Sequence, residues 1–86
     1  MTDRSAYESQ LSRPAAQFVI TLPRRQQRLV LDLADQIARQ PFGVGDYQTK
    51  DAAGRIVENL LLDAYVFTYW VDHSVREVRI TEILRT

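Results

Sequence analysis

Apolar and polar residues alternate in two runs near the C-terminal end of the chain, and this pattern predicts a β-hairpin. The first run, Tyr65 to Val71, consists of aromatic, β-branched and Thr residues, and the second, Arg76 to Ile83, alternates charged with apolar residues as far as Ile80. Strand side chains point to opposite faces with a period of two. The polar residues 72 to 74 between the runs favour a turn. Because an isolated hairpin is only marginally stable in water, we expect further strands and a helix to pack on it.

A helical pattern occupies residues 24 to 40. Pro23 suits the start of a helix, where its missing N–H has no intrahelical partner to lose, and Pro41 ends the pattern. Just before the helix, apolar side chains recur at every second position of residues 17 to 22, which predicts a first strand. The apolar residues of the helix fall on one stripe: Leu29, Val30, Leu33, Ala34 and Ile37.

The remaining segments give weaker patterns. Residues 1 to 16 are predicted to form an N-terminal arm, with a short helix as the alternative. Glycines and polar residues punctuate residues 42 to 54, which predicts a loop that ends in a turn where Gly54 takes a positive φ. Residues 55 to 62 predict another strand, but their alternation leaves open which of its faces is buried.

Together these elements predict an α+β fold with a single domain over residues 17 to 86. The three strands between residue 55 and the C-terminal end form an antiparallel meander, and the N-terminal strand joins the same sheet. One main amphipathic helix covers one face of that sheet. The residues expected to form the core on this face are Tyr65, Phe67, Tyr69, Val78 and Ile80.

The composition is that of a small globular protein. The chain has 86 residues, of which 45% are hydrophobic, and this length suits one domain. It contains no cysteine, which fits a reducing cytosol, and no apolar run is long enough to span a membrane. The formal net charge is zero, which argues against broad, charge-driven binding to nucleic acid while leaving room for a local basic patch.

Arginines crowd the first turns of the predicted helix, where the helix dipole disfavours cations. Arg24, Arg25 and Arg28 therefore form either a solvated face or an anion-binding patch, with phosphate as the obvious ligand. Lys50, in the predicted loop, is a further candidate for contact with nucleic acid.

The sheet face opposite the helix is the second candidate surface. It would carry Trp70 and Arg79, with Arg55 and Arg85 at strand ends nearby. Arginine beside tryptophan is a suitable pair for holding phosphate and stacking a base. Alternatively, a partner protein or the N-terminal arm covers Trp70, because an exposed aromatic on an open sheet is typical of a partner-binding anchor.

Candidate acid–base residues are few. His73 lies in the hairpin turn, where a lone histidine is more often simply solvated. Glu58, Glu77 and Glu82 could act as bases, although strand carboxylates opposite arginine more often form cross-strand pairs. The histidine and the scattered acidic residues lack the spacing of metal ligands, so the sequence predicts neither a metal nor a cofactor.

The order of elements and the meander resemble the RelE/ParE superfamily of toxins from bacterial type II toxin–antitoxin systems. The most specific part is the end of the middle strand, Phe67-Thr-Tyr-Trp-Val-Asp72, followed by a strand with alternating Val and Ile. The resemblance covers residues 17 to 85. It implies a small cytoplasmic toxin that a cognate antitoxin protein neutralises.

The resemblance also implies a target. RelE-like members cleave mRNA in the ribosomal A site without a metal, and ParE-like members inhibit DNA gyrase. Arg85 falls where a RelE-like arginine sits. RelE-like nucleases also have an arginine directly after the Tyr that opens the middle strand, whereas here Val66 follows Tyr65. The tail that supplies their final Tyr or His has no counterpart before Thr86. In an RNase of this type, the residues that hold phosphate would be Arg55, Arg79 and Arg85.

Three functions remain open from the sequence. The first is a toxin of this type that acts through the open sheet face and the basic helix on ribosome-bound mRNA or gyrase. The second is a catalytically inactive interaction module of the same fold. The third is a small structural domain that dimerises through an exposed strand edge.

Overall fold

The computed structural model describes residues 6 to 86 and shows two helices packed on one face of a five-stranded mixed sheet. The strand order is β1-β5-β4-β3-β2, with β1 parallel to β5 and all other neighbours antiparallel. The first five residues of the predicted arm lie outside the described residues. The elements are β1 (Glu8–Leu11), α1 (Arg13–Ile20), α2 (Arg24–Ala38), β2 (Tyr47–Lys50), β3 (Ile56–Leu62), β4 (Tyr65–Asp72) and β5 (Glu77–Arg85).

The predicted strand at residues 17 to 22 is wrong, because most of this segment belongs to α1. Ser12 caps that helix by accepting a hydrogen bond from the Ala15 N–H at 3.2 Å, and Pro14 sits in its first turn. The apolar positions were also compatible with a helix, since Ala15 and Val19 are four apart and both are buried. Ile20, which the strand pattern would have buried, is 72% exposed.

The N-terminal strand of the sheet is β1 instead, within the segment predicted as an arm. It pairs with β5 from Glu8 opposite Glu77 to Leu11 opposite Ile80. Its junction with α1 is anchored on the same strand, because the Ser12 N–H donates to the Ile80 carbonyl at 2.9 Å and its hydroxyl donates to the Thr81 carbonyl at 2.7 Å. A short, mostly polar strand at a sheet edge has little hydrophobic periodicity to reveal it.

The predicted core is confirmed. Tyr65, Phe67, Tyr69, Val78 and Ile80 are at most 2% exposed, and they pack against the buried stripe of α2 and against Ala15 and Val19 of α1. The strand register shifts between Thr68, opposite Glu82, and Tyr69, opposite Ile80. This bulge brings Ile83 onto the core side as well, where it is 2% exposed.

The segment predicted as a loop contains the edge strand β2, whose four side chains are all exposed. The turn that follows it is as predicted, with Gly54 at a φ of +80°. The Asp51 carboxylate stabilises this turn by accepting hydrogen bonds from the N–H groups of Ala53 and Arg55 at 2.9 Å each. In the described part of the chain, no helix has the length and apolar character needed to cross a membrane.

Candidate functional site

The two helices cover one face of the sheet and leave the other uncovered, and we call the second face of β3, β4 and β5 the open face. Side chains alternate between the two faces along each strand, and this alternation determines which residues lie on the open face. The buried aromatics of β4 point toward the helices, so Val66, Thr68 and Trp70 point away from them. Across the strands, the open face carries Val57, Asn59, Leu61, Val66, Thr68, Trp70, Arg79, Glu82 and Leu84.

Arginines surround Trp70 at one end of the open face. The Arg55 guanidinium carbon lies 3.8 Å from the centre of the indole ring, and that of Arg79, directly opposite on β5, lies 5.6 Å away. Arg79 also forms ion pairs with Glu77 at 2.8 Å and with Asp72 at 3.8 Å. This Trp70 cluster thus combines an aromatic surface with two guanidinium groups, of which Arg79 already has two carboxylate partners.

A buried polar network occupies the middle of the open face. Asn59 is 5% exposed, and its side-chain oxygen accepts a hydrogen bond from the Thr68 hydroxyl at 2.7 Å. Its amide nitrogen donates to the Thr49 hydroxyl at 3.0 Å and to the Tyr47 carbonyl at 3.4 Å. A single side chain therefore joins β2, β3 and β4.

An exposed apolar row forms the other end of the open face. Leu61 lies opposite Val66, and Val66 lies opposite Leu84, so the three side chains adjoin across three strands. Leu61 and Leu84 are each 51% exposed. Contiguous apolar residues on an uncovered sheet face are typical of a protein-interaction surface.

The arginines singled out from the sequence do not all meet. Arg55 and Arg79 converge on Trp70, but Arg85 stacks at 5.8 Å from the ring centre of Tyr65, which belongs to the helix side of the sheet. Five residues along β4 separate Tyr65 from Trp70, which is about 17 Å at the usual rise of a strand. Arg24, Arg25 and Arg28 are exposed on α2, in the layer that covers the other face of the sheet. Lys50 is exposed on the edge strand β2, where it lies opposite Ile56, the residue that follows Arg55.

His73 and Glu58 border a cleft of about 420 Å³ that Arg55 and Trp70 also line. The His73 ring stacks on Phe42 with centroids 4.9 Å apart, and its Nδ1 lies 2.8 Å from the Tyr7 hydroxyl. Glu58 accepts hydrogen bonds from the Gly45 N–H and the Gln48 amide, each at 2.8 Å. Both side chains therefore hold neighbouring segments in place, and these contacts account for His73 and Glu58 without a catalytic role.

Among the described residues, the pKa values of Asp72 and Tyr69 are shifted. The Ser74 hydroxyl and N–H groups, followed by the charge of Arg79, hold the pKa of Asp72 below its usual value. Burial, with smaller contributions from the carboxylates of Glu58 and Asp46, raises the pKa of the Tyr69 phenol. Asp72 thus stays ionised beside Arg79, and Tyr69 stays neutral under the helix layer.

Sequence reasoning missed the Asn59 network and the contact of Tyr7 and Phe42 with His73. An asparagine in the middle of a mostly apolar strand was the available signal for the network, because a buried amide needs partners on neighbouring strands. The aromatic contact joins residues 7, 42 and 73, and no local pattern connects positions so far apart. Within residues 6 to 86, no three acidic, His or Cys side chains come together as a metal site would require.

Comparison with known proteins identifies the fold. No protein-family model matches the chain, and no curated protein sequence matches it. Among solved structures it is similar to a chain of the RelBE2 toxin–antitoxin complex from Mycobacterium tuberculosis, with a TM-score of 0.76 and 20% identity over 94% of this chain and 99% of that one. It is similar also to a chain of the archaeal RelE–RelB complex from Pyrococcus horikoshii, with a TM-score of 0.69 and 14% identity over 93% and 94% of the two chains.

A third similar structure is the intact E. coli RelBE toxin–antitoxin complex, with a TM-score of 0.59 and 15% identity over 94% of this chain and 98% of that one. The shared architecture is an α+β fold in which two helices pack on a mixed sheet of five strands, and the predicted fold class is confirmed. It is the fold of the RelE toxins, and the resemblance found in the sequence is confirmed at the level of fold.

Proposed function

We propose that the chain is the toxin of a type II toxin–antitoxin system, that it acts in the cytoplasm through the open face, and that a cognate antitoxin protein neutralises it by covering this face. The observation that carries the proposal is the open face itself, which has the Trp70 cluster at one end and an exposed apolar row at the other on a RelE-type fold. Aromatic and arginine side chains next to apolar surface are the usual anchors of protein interfaces.

The charges of the open face favour a protein as the target. Arg79 is paired with Glu77 and Asp72, and Arg55 lies 3.9 Å from Asp51, so both cations of the Trp70 cluster have carboxylate neighbours. Binding to a phosphate backbone depends on uncompensated cations, and the chain as a whole has no net charge. This is the ParE-like form of the proposal, with an enzyme such as DNA gyrase as the type of target.

An mRNA interferase is the second candidate, and the convergence of Arg55 and Arg79 on Trp70 favours it. In this form Arg55 would leave the indole face to hold phosphate together with Arg79, and an unpaired base would stack on Trp70 in its place. Arg85 would act at a separate point, since it lies beside Tyr65 on the helix side of the sheet. The RNA outside the cleft would be contacted by Arg24, Arg25, Arg28 and Lys50.

The test is induced expression of the chain in bacteria, alone and together with the product of any short open reading frame that adjoins its gene. We expect growth arrest from the chain alone and relief of the arrest when the adjoining product is co-expressed. In the arrested cells, primer extension on abundant mRNAs reports whether new cuts form in the ribosomal A site.

The outcomes separate the candidate functions. Arrest that is relieved by the partner and leaves mRNA intact supports a toxin with a protein target. Arrest with new A-site cuts supports the interferase instead. Normal growth while soluble, folded chain accumulates would contradict the toxin assignment and leave a catalytically inactive interaction module of the same fold.

A further inference from the structure

The edge strand β2 carries a second surface, formed by its backbone and separate from the open face. It pairs with β3 on one side only, because it is the last strand in the order of the sheet, and all four of its side chains are exposed. The outer side of such a strand presents a row of backbone N–H and C=O groups that another strand can pair with.

The hydrogen bonds to β3 determine which residues of β2 direct their backbone groups outward. The Asp51 N–H donates inward to the Arg55 carbonyl at 2.9 Å. Backbone groups in an antiparallel ladder alternate in direction, so Thr49 and Tyr47 also point inward, whereas Gln48 and Lys50 point outward. A second strand can therefore pair with this edge only at even-numbered positions.

The charges along the edge select one register for a second copy of the same strand. Antiparallel pairing centred on Gln48 places Gln48 opposite Gln48 of the second copy. It also places Lys50 of each copy opposite Asp46 of the other, so two ion pairs can form. Lys50 forms no ion pair within residues 6 to 86, and Asp46 uses one carboxylate oxygen, Oδ2, to accept from the Leu61 N–H at 2.8 Å. The backbone N–H of Asp46 donates inward to β3, so this residue would contribute only its side chain to the pairing. A register centred on Thr49 would also pair the outward backbone groups of Gln48 and Lys50. It would set Lys50 opposite Gln48, however, and no ion pair would form.

We propose that two copies of the chain form a two-fold symmetric dimer by antiparallel pairing of β2 with β2, with Gln48 on the symmetry axis. The pairing joins two five-stranded sheets into one sheet of ten strands and makes their open faces continuous. A lysine on an edge strand commonly prevents such pairing. Here Lys50 meets a carboxylate instead, so its charge favours the dimer. The proposal is independent of the toxin assignment.

The register can be read by disulfide cross-linking, because the chain contains no cysteine of its own. Opposite residues in a hydrogen-bonded antiparallel pair have Cα atoms about 5.5 Å apart, within the range of a disulfide. Gln48→Cys should therefore give a covalent dimer under mild oxidation. Thr49→Cys is the matched control, because the two copies of residue 49 would be about 8 Å apart, beyond that range.

Sedimentation of the unmodified chain over a hundredfold range of concentration measures the dimer directly. Gln48→Pro removes an outward N–H that β3 does not use, together with the side-chain hydrogen bond from Gln48 to Glu58. We therefore expect it to abolish dimerisation while circular dichroism shows a folded chain and the Tm falls no further than in Gln48→Ala, which loses only the side-chain bond and should still dimerise. Lys50→Glu should weaken the dimer at least tenfold, and less in high salt. A monomer at every concentration, cross-linking of Thr49→Cys as efficient as that of Gln48→Cys, or a folded Gln48→Pro chain that dimerises like the wild type would overturn the proposal.

Discussion

Asn59 is the residue whose replacement tests the architecture of the open face most sharply. Its side chain is buried and makes hydrogen bonds to groups on β2 and β4, at 2.7 Å to Thr68, 3.0 Å to Thr49 and 3.4 Å to the Tyr47 carbonyl. Asn59→Ala removes all three. The bond at 3.4 Å is long, so it should contribute least.

The expected loss follows from these distances. A well-formed hydrogen bond contributes about 1 kcal/mol net, and a partner left buried without a replacement adds to the loss. Thr49 is exposed and can turn to water, whereas Thr68 is partly buried. We therefore expect Asn59→Ala to lower the free energy of unfolding by about 2–3 kcal/mol.

Urea unfolding followed by circular dichroism measures this loss, and a double-mutant cycle with Thr68→Val assigns it. The two replacements should couple by about 1 kcal/mol, because both remove the same 2.7 Å hydrogen bond. Leu61→Ala is the matched control, since it truncates a half-exposed neighbour on the same strand and face without removing a side-chain hydrogen bond. A loss below about 0.5 kcal/mol for Asn59→Ala would refute the reasoning.

Three further predictions concern the surroundings of the open face. Gly45→Ala should cost about 1–3 kcal/mol in urea unfolding, because the added Cβ would lie 2.6 Å from the Asn59 carbonyl oxygen; wild-type stability would contradict the close approach of this loop to β3. Ser74→Ala should raise the pKa of Asp72 toward its ordinary value of 3.8 in an NMR titration, because the Ser74 hydroxyl is the main cause of the lowered value. In the wild type the stabilisation from Asp72 is complete above that ordinary value and is lost as the pH falls through the lowered one, so an unchanged titration in Ser74→Ala would count against the contact. Finally, Arg55→Ala and Trp70→Ala should couple by about 0.5–1 kcal/mol in a double-mutant cycle, as expected for a solvent-accessible cation over a partly buried indole, and strictly additive losses would mean that the stacked geometry is not maintained in solution.

The sequence predicts the meander and its core because these depend on strong local periodicity. Tyr65, Phe67 and Tyr69 alternate with residues of the open face, and this alternation alone separates the buried side of β4 from the uncovered one. The amphipathic stripe of α2 identifies the helix for the same reason. Fold class and core could therefore be obtained without a structure.

The N-terminal half of the domain was harder to predict because its signals conflict or are weak. In residues 17 to 22 the two-residue alternation competed with a capped helix start, and Ser12 with Pro14 decided in favour of the helix. The strands β1 and β2 are short, polar and at the edges of the sheet, so burial imposes little pattern on them.

The candidate site was predictable only in part. The pairing of Trp70 with Arg79 follows from hairpin register, and Arg55 was expected at a strand end nearby. The position of Arg85 depends on the bulge at Thr68 and Tyr69, which reverses the alternation of β5 beyond Ile80. A single inserted residue in one strand moves every later side chain to the other face, and no sequence pattern marked it.

The most direct test compares growth arrest by two variants at equal levels of soluble chain, one altered on the open face and the other on the helix layer. Arg55→Ala combined with Trp70→Ala removes the core of the Trp70 cluster, and Arg39→Ala combined with Leu31→Ala is a matched pair of exposed residues on the helix layer. If the open face carries the activity, the first variant should need at least tenfold more chain to arrest growth, while the second should act like the wild type. Full activity of the first variant, with loss of activity in the second, would contradict the central claim.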